Sequence, residues 1–82
     1  MQVPVRFSAG LAQDIGSPRL SIDVPDGATV ADLLRQLHAA YPDALRLSTA
    51  LAVINGQYVS ANATLPSDQE VALLLPVSGG LS

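Results

Sequence analysis

Between Thr29 and Pro42 the chain carries apolar residues on a single helical stripe, and that stripe restricts what the chain can fold into. Val30, Leu33, Leu34, Leu37 and Tyr41 fall at i, i+3, i+4, i+7 and i+11, while Arg35, Gln36 and Ala39 face away. Thr29 suits the N-cap, and Asp32 stands three positions on, where a carboxylate completes a capping box. Pro42 stops the helix after about 12 residues, or roughly 18 Å. A helix that is apolar on one side only must lie across a second layer. The remaining segments offer strands for that layer, so the partner is a sheet.

The strands can be read in order. Gln2 to Ser8 alternates, with Val3, Val5 and Phe7 on one face and Pro4, Arg6 and Ser8 on the other, and Pro4 points to an edge position or an outward-facing N–H. Ala9 to Ser17 reads as a connection holding one helical turn around Leu11 to Ile15. Arg19 to Val24 alternates again, before the turn Pro25-Asp26-Gly27, which makes an antiparallel pair with the first strand. Asp43 to Ala50 reads as irregular, with Leu45 and Leu47 as anchors. Leu51 to Ile54 and Gln57 to Ser60 flank Asn55-Gly56, the pair that suits a two-residue type I′ hairpin. A polar connection over Ala61 to Gln69 leads to the run Glu70 to Leu75, the most continuously apolar segment. It should therefore lie centrally beside the first strand, closed by Pro76. The order strand, strand, helix, strand, strand, strand predicts an α+β domain of the ubiquitin-like β-grasp plan: a mixed sheet of about five strands with one main helix on one face. The expected division is 1–76 for the folded domain and 77–82 for a C-terminal tail.

Composition removes several function classes. The 82 residues make one domain, whose 49% apolar and 13% charged content can form a core without staples. With no cysteine there is no disulfide framework, thiolate metal site or thiol nucleophile. Seven acidic residues outweigh four arginines, and Arg6, Arg19, Arg35 and Arg46 are scattered, which argues against nucleic acid as a partner. There is no lysine. No apolar run approaches the ~20 residues of a membrane span, and the N-terminal segment lacks a signal-peptide pattern, so a cytoplasmic protein is expected.

The domain itself offers no catalytic constellation. His38 sits at the edge of the helix stripe with no nucleophile or carboxylate brought to it by the sequence. Asp23, Asp26 and Asp32 gather around a turn and a helix start, where carboxylates cap helices, and they are too few and too widely spaced for a hard-cation loop. Neither phosphate-binding glycine pattern occurs. No metal and no bound cofactor are expected. The tail differs: past Pro76 the chain reads Val77-Ser78-Gly79-Gly80-Leu81-Ser82. Two glycines let a main chain enter a channel in which any Cβ would clash. Val77 to Gly80 reach at most about 13 Å when extended. On the last strand, Val71, Leu73 and Leu75 should face the helix, leaving Ala72, Leu74 and Pro76 on the opposite face as candidate partner contacts.

The segments Ala52-Val53-Ile54-Asn55-Gly56-Gln57-Tyr58-Val59, Leu65, Glu70-Val71-Ala72 and Pro76-Val77-Ser78-Gly79-Gly80 resemble the sulfur-carrier family of β-grasp proteins. The likeness is greatest to the small subunit of molybdopterin synthase, with the thiamin-pathway carriers as shorter relatives. The resemblance implies that the terminal glycine carboxylate is adenylated by an ATP-dependent, E1-like activating enzyme and converted to a thiocarboxylate that donates sulfur. ATP would be used by that enzyme, not bound here. Carried over, Gly80 bears the sulfur, and Ser78 and Gly79 form the slim segment that threads. The chain would be a protein cosubstrate, with catalysis by partners such as the molybdopterin synthase large subunit. Two departures stand out: Leu81-Ser82 follow Gly80, and Ser67-Asp68-Gln69 stands where the family commonly has Asp-Gly. The first implies a precursor cut between Gly80 and Leu81 by a processing protease. Two other readings fit the same residues: a ubiquitin-like modifier joined to lysines through Gly80, and a non-covalent β-grasp interaction domain.

Overall fold

A computed structural model describes residues 1–76 of the chain. Its elements are β1 (Gln2–Phe7), α1 (Ala9–Ile15), β2 (Arg19–Asp23), α2 (Val30–Ala40), a 3-10 helix (Leu45–Thr49), β3 (Leu51–Ile54), β4 (Gln57–Val59) and β5 (Val71–Leu74). The strands form one sheet in the order β2-β1-β5-β3-β4. β1 and β5 run parallel, and every other neighbouring pair is antiparallel. The expected mixed β-grasp sheet is present, with the last strand in the centre beside the first.

The helix stripe packs as its spacing requires. Val30, Leu33 and Leu37 are buried, and Leu34 and Tyr41 pack on them from the margin. Against them lie Val3, Val5 and Phe7 of β1 and Val71 and Leu73 of β5, all buried. The capping box is complete: Asp32 N–H donates to Thr29 Oγ1 (3.3 Å) and Thr29 N–H donates to Asp32 Oδ2 (3.0 Å). The bond from the Thr29 backbone is the main reason the Asp32 carboxyl is held below its ordinary pKa. The next two helix donors are also used, Val30 N–H by Ala63 O (3.0 Å) and Ala31 N–H by Ala61 O (2.9 Å). The start of α2 thus holds the long connection before β5 in place by satisfying its own orphan donors. Thr29→Ala is expected to lower stability by about 1 kcal/mol in a urea titration.

The structure corrects several local expectations. α1 has seven residues rather than one turn, and Gly16 ends it with φ 93°. β1 is interior, not an edge; Pro4 is tolerated because pairing with β5 starts only at Val5. Leu47 anchors the 3-10 helix at 1% exposure, but Leu45 is 70% exposed and anchors nothing. Ala28, Ala44 and Leu65 are core residues of the connections that the sequence did not single out. The hairpin is as read, with φ 54° at Asn55 and 79° at Gly56, the positive values a type I′ turn needs.

Candidate functional site

Strand register decides which side chains share the face of the sheet away from α2. Residues directly opposite across a ladder point the same way. Arg6 pairs with Ala72, Ala72 with Val53, and Val53 with Tyr58. Leu74 pairs with Leu51. None of these side chains belongs to the core cluster or packs on it. Leu51, Val53, Tyr58, Ala72 and Leu74 therefore form one apolar patch on the uncovered face, with exposed Pro76 just past the end of β5. Tyr58 is 71% exposed and Leu51 41%, unusually open for large apolar residues on an 82-residue chain.

Of the residues predicted to face a partner, Leu74 is half-buried and Pro76 exposed. Ala72 lies on the expected face but is only 6% exposed, which corrects its role. Its small side chain sits between Arg6 and Val53 on the neighbouring strands and forms the floor of the patch. Leu51, Val53 and Tyr58 were not singled out from the sequence. Their signal, the alternation across the Asn55-Gly56 hairpin, becomes a shared face only once β3 is registered on β5. Ser78, Gly79, Gly80 and Leu81 lie outside the described residues.

Beside the patch is a charged margin. Glu70, just before β5, lies 3.6 Å from Arg6 Nε and 3.8 Å from Arg19 Nε. All three side chains are open to solvent, so these pairs add little stability and serve better as a polar rim around an apolar centre.

The other residues considered for chemistry have structural roles. The Met1 amino group donates to Val24 O at 2.6 Å and lies 3.5 Å from Asp23 and 3.8 Å from Asp26. Those two carboxylates thus face an ammonium group, while Asp32 caps α2 and pairs with Arg35. No group of three metal-binding side chains occurs among the described residues. His38 is exposed on α2.

Known proteins share this β-grasp fold. Residues 5–80 match the ThiS family. The chain belongs to that family. It is also similar to the molybdopterin synthase sulfur carrier subunit of Chlamydomonas reinhardtii, at 33% identity over 84 residues, covering 98% of this chain and 100% of that one. Among solved structures, SAMP1 from Haloferax volcanii superposes with a TM-score of 0.80 at 30% identity, covering 98% of this chain and 100% of that one. A complex of subunits 1 and 2 of molybdopterin-converting factor from Helicobacter pylori contains a chain of the same fold, with TM-score 0.66 and 23% identity over 98% of this chain and 100% of that one. As a ThiS-family member the chain is a β-grasp protein of the sulfur-carrier type, a carrier and not itself an enzyme. The part of the chain that the family match covers ends at Gly80, leaving Leu81 and Ser82 beyond it.

Proposed function

We propose that this chain carries sulfur as a thiocarboxylate on Gly80, as the small subunit of a molybdopterin synthase or in a related sulfur transfer. One observation carries the reading: β5 lies at the centre of the sheet, bears Leu74 on the uncovered patch, and leads within six residues to Gly79-Gly80. A partner that docks on the patch can thus receive the carboxylate in its own active site. In the proposed sequence, a Gly80 carboxylate oxygen attacks the α-phosphorus of ATP in an activating enzyme, and pyrophosphate leaves. A sulfide-level sulfur nucleophile supplied by that machinery then displaces AMP from the carbonyl carbon. Sulfur passes to the acceptor enzyme's substrate, and a water oxygen restores the carboxylate. This chain supplies the docking surface, the reach and the bare backbone; ATP binds elsewhere.

Gly80 has a free carboxylate only after the Gly80–Leu81 peptide bond is cut, so a processing protease acts first. The large subunit of a molybdopterin synthase is the proposed acceptor, supported by the two-subunit complex formed by the Helicobacter pylori protein. Likeness to SAMP1, a small archaeal modifier protein, supports a second use, attachment of Gly80 to lysines of other proteins. The absence of lysine here would exclude self-chains through side chains in that use.

The test compares the full chain with a form ending at Gly80, each incubated with the activating enzyme and ATP, with pyrophosphate followed. Turnover is expected only from the shorter form. With a sulfur source added, intact mass should then show one oxygen replaced by sulfur. Equal turnover of both forms would rule out the precursor step. An amide to lysine in place of the thiocarboxylate would favour the modifier reading.

A further inference from the structure

Strand register sets one row of side chains straight across the uncovered face of the sheet. Arg19 on β2 stands opposite Arg6 on β1, Arg6 beside Ala72 on β5, Ala72 opposite Val53, and Val53 opposite Tyr58. The row is apolar from Ala72 to Tyr58 and cationic at its other end. Residues facing each other in an antiparallel ladder have Cβ atoms about 5 Å apart, and like charges placed there repel. Arg6 and Arg19 are therefore an unfavourable pair in the free domain, on a chain whose net charge is -3.

Glu70, which shares the face of Ala72, offsets the pair only in part. It lies 3.6 Å from Arg6 Nε and 3.8 Å from Arg19 Nε, beyond the about 2.7–3.2 Å of an N–H···O bond. Two cations and one anion leave one positive charge. The other two arginines are used within the fold: Arg35 donates to Asp32, and Arg46 to Asp14 and the Gly10 carbonyl. Among the described residues, Arg6 and Arg19 donate no hydrogen bond.

Next to this cationic end is a recess of about 370 Å³, lined by Arg6, Glu70, Ala72, Val53 and the Asn55-Gly56 turn. Ala72 and Val53 belong to both the recess and the apolar patch, so a partner seated on the patch also covers the recess. Covering a guanidinium without a counter-charge is costly. A carboxylate answers the cost best, because the planar guanidinium fork bonds both of its oxygens.

We propose that Arg6 and Arg19 receive a carboxylate of the docking partner: an aspartate or glutamate side chain that enters the recess beside Ala72, flanked by apolar side chains that cover Leu74 and Tyr58. This deepens the carrier reading above and rests on its docking patch. The apolar centre supplies contact area, and the arginine pair fixes the register of the partner on the sheet.

Calorimetric titration of the full chain with the activating enzyme and with the acceptor subunit tests this, with Leu74→Asp identifying which of the two covers the patch. Toward that partner, the double variant Arg6→Gln, Arg19→Gln should bind roughly tenfold or more weakly, and its affinity should depend less on salt than that of the wild type. Glu70→Gln removes the competing carboxylate and should bind about two- to fivefold more tightly. Melting temperatures of the free variants should stay within about 4 °C of the wild type, since all three side chains are open to solvent. Wild-type affinity in the double variant, or weaker binding by Glu70→Gln, would overturn the proposal while Leu74→Asp still reports docking on the patch. A much larger fall in melting temperature would make the trio a support of the fold and overturn it as well. If Leu74→Asp binds both partners as the wild type does, the docking reading itself falls, and this proposal with it.

Discussion

Gly79→Val, in a form ending at Gly80, is expected to lose thiocarboxylate formation by on the order of a hundredfold while melting at the wild-type temperature. The two halves of this expectation have separate causes. The β5 ladder ends at Leu74, and Pro76, which can donate no N–H, is exposed. If residue 79 makes no contact with the domain, as the carrier reading requires, its substitution should change stability by no more than about 0.5 kcal/mol. In a channel sized for bare backbone, a β-branched carbon either collides with the wall or drives φ and ψ away from the values the channel requires. The measurements are a thermal melt of the free variant and its thiocarboxylate yield with the activating enzyme. Normal yield would mean that the glycines are not there for threading. A large fall in melting temperature would make residue 79 part of the fold, and the carrier reading would lose its chief support.

What could be read from the sequence divides by the range of the interactions involved. The α2 capping box needs only Thr29 and Asp32, three residues apart, and the type I′ hairpin needs only Asn55 and Gly56. Both signals are local, and both are present in the structure. The alternation of β1 and the unbroken apolar run of β5 indicated how each strand is covered, and hence that β5 is central. Features decided by contacts distant in sequence were not legible. Leu45 and Leu47 are equally apolar, but only Leu47 turns toward α2; the choice depends on the phase of a 3-10 helix tied to α1 by Arg46. Leu65 sits in an otherwise polar stretch, and it reaches the core because the stretch is drawn along the start of α2, where Leu65 N–H bonds to Ala28 O at 2.9 Å.

The candidate site follows the same division. Its proposed reactive end rests on a local sequence pattern, Gly79-Gly80 after a proline-closed strand, and lies outside the described residues. The apolar patch was half visible. The period of two put Ala72 and Leu74 on the correct face. It could not show that Ala72 is overshadowed by Arg6 and Val53, because those neighbours come from strands 66 and 19 positions away in sequence. Nor could it join Leu51 and Tyr58 to Leu74.

Neighbouring residues on β5 should fail in opposite ways, and the contrast tests the patch directly. Leu73 is 0% exposed and packs between β1, β3 and α2, so Leu73→Ala should cost about 2–5 kcal/mol. That is a large share of the 5–15 kcal/mol that typically holds a domain together, and the variant should be partly unfolded near physiological temperature. Leu74 points to the other face, opposite Leu51, where an aspartate can keep its carboxylate in water. Leu74→Asp should therefore cost the free domain only about 1 kcal/mol, for the lost cross-strand apolar pair. In a complex that covers the patch, the same carboxylate would be buried without a partner charge. A penalty of about 3 kcal/mol, roughly a hundredfold in Kd, is expected for binding to either the activating enzyme or the acceptor subunit. Urea unfolding of both variants and calorimetric titration of Leu74→Asp with each partner make the comparison. Unfolding of Leu74→Asp would assign Leu74 to the core. Unchanged affinity would move the docking surface off this face of the sheet.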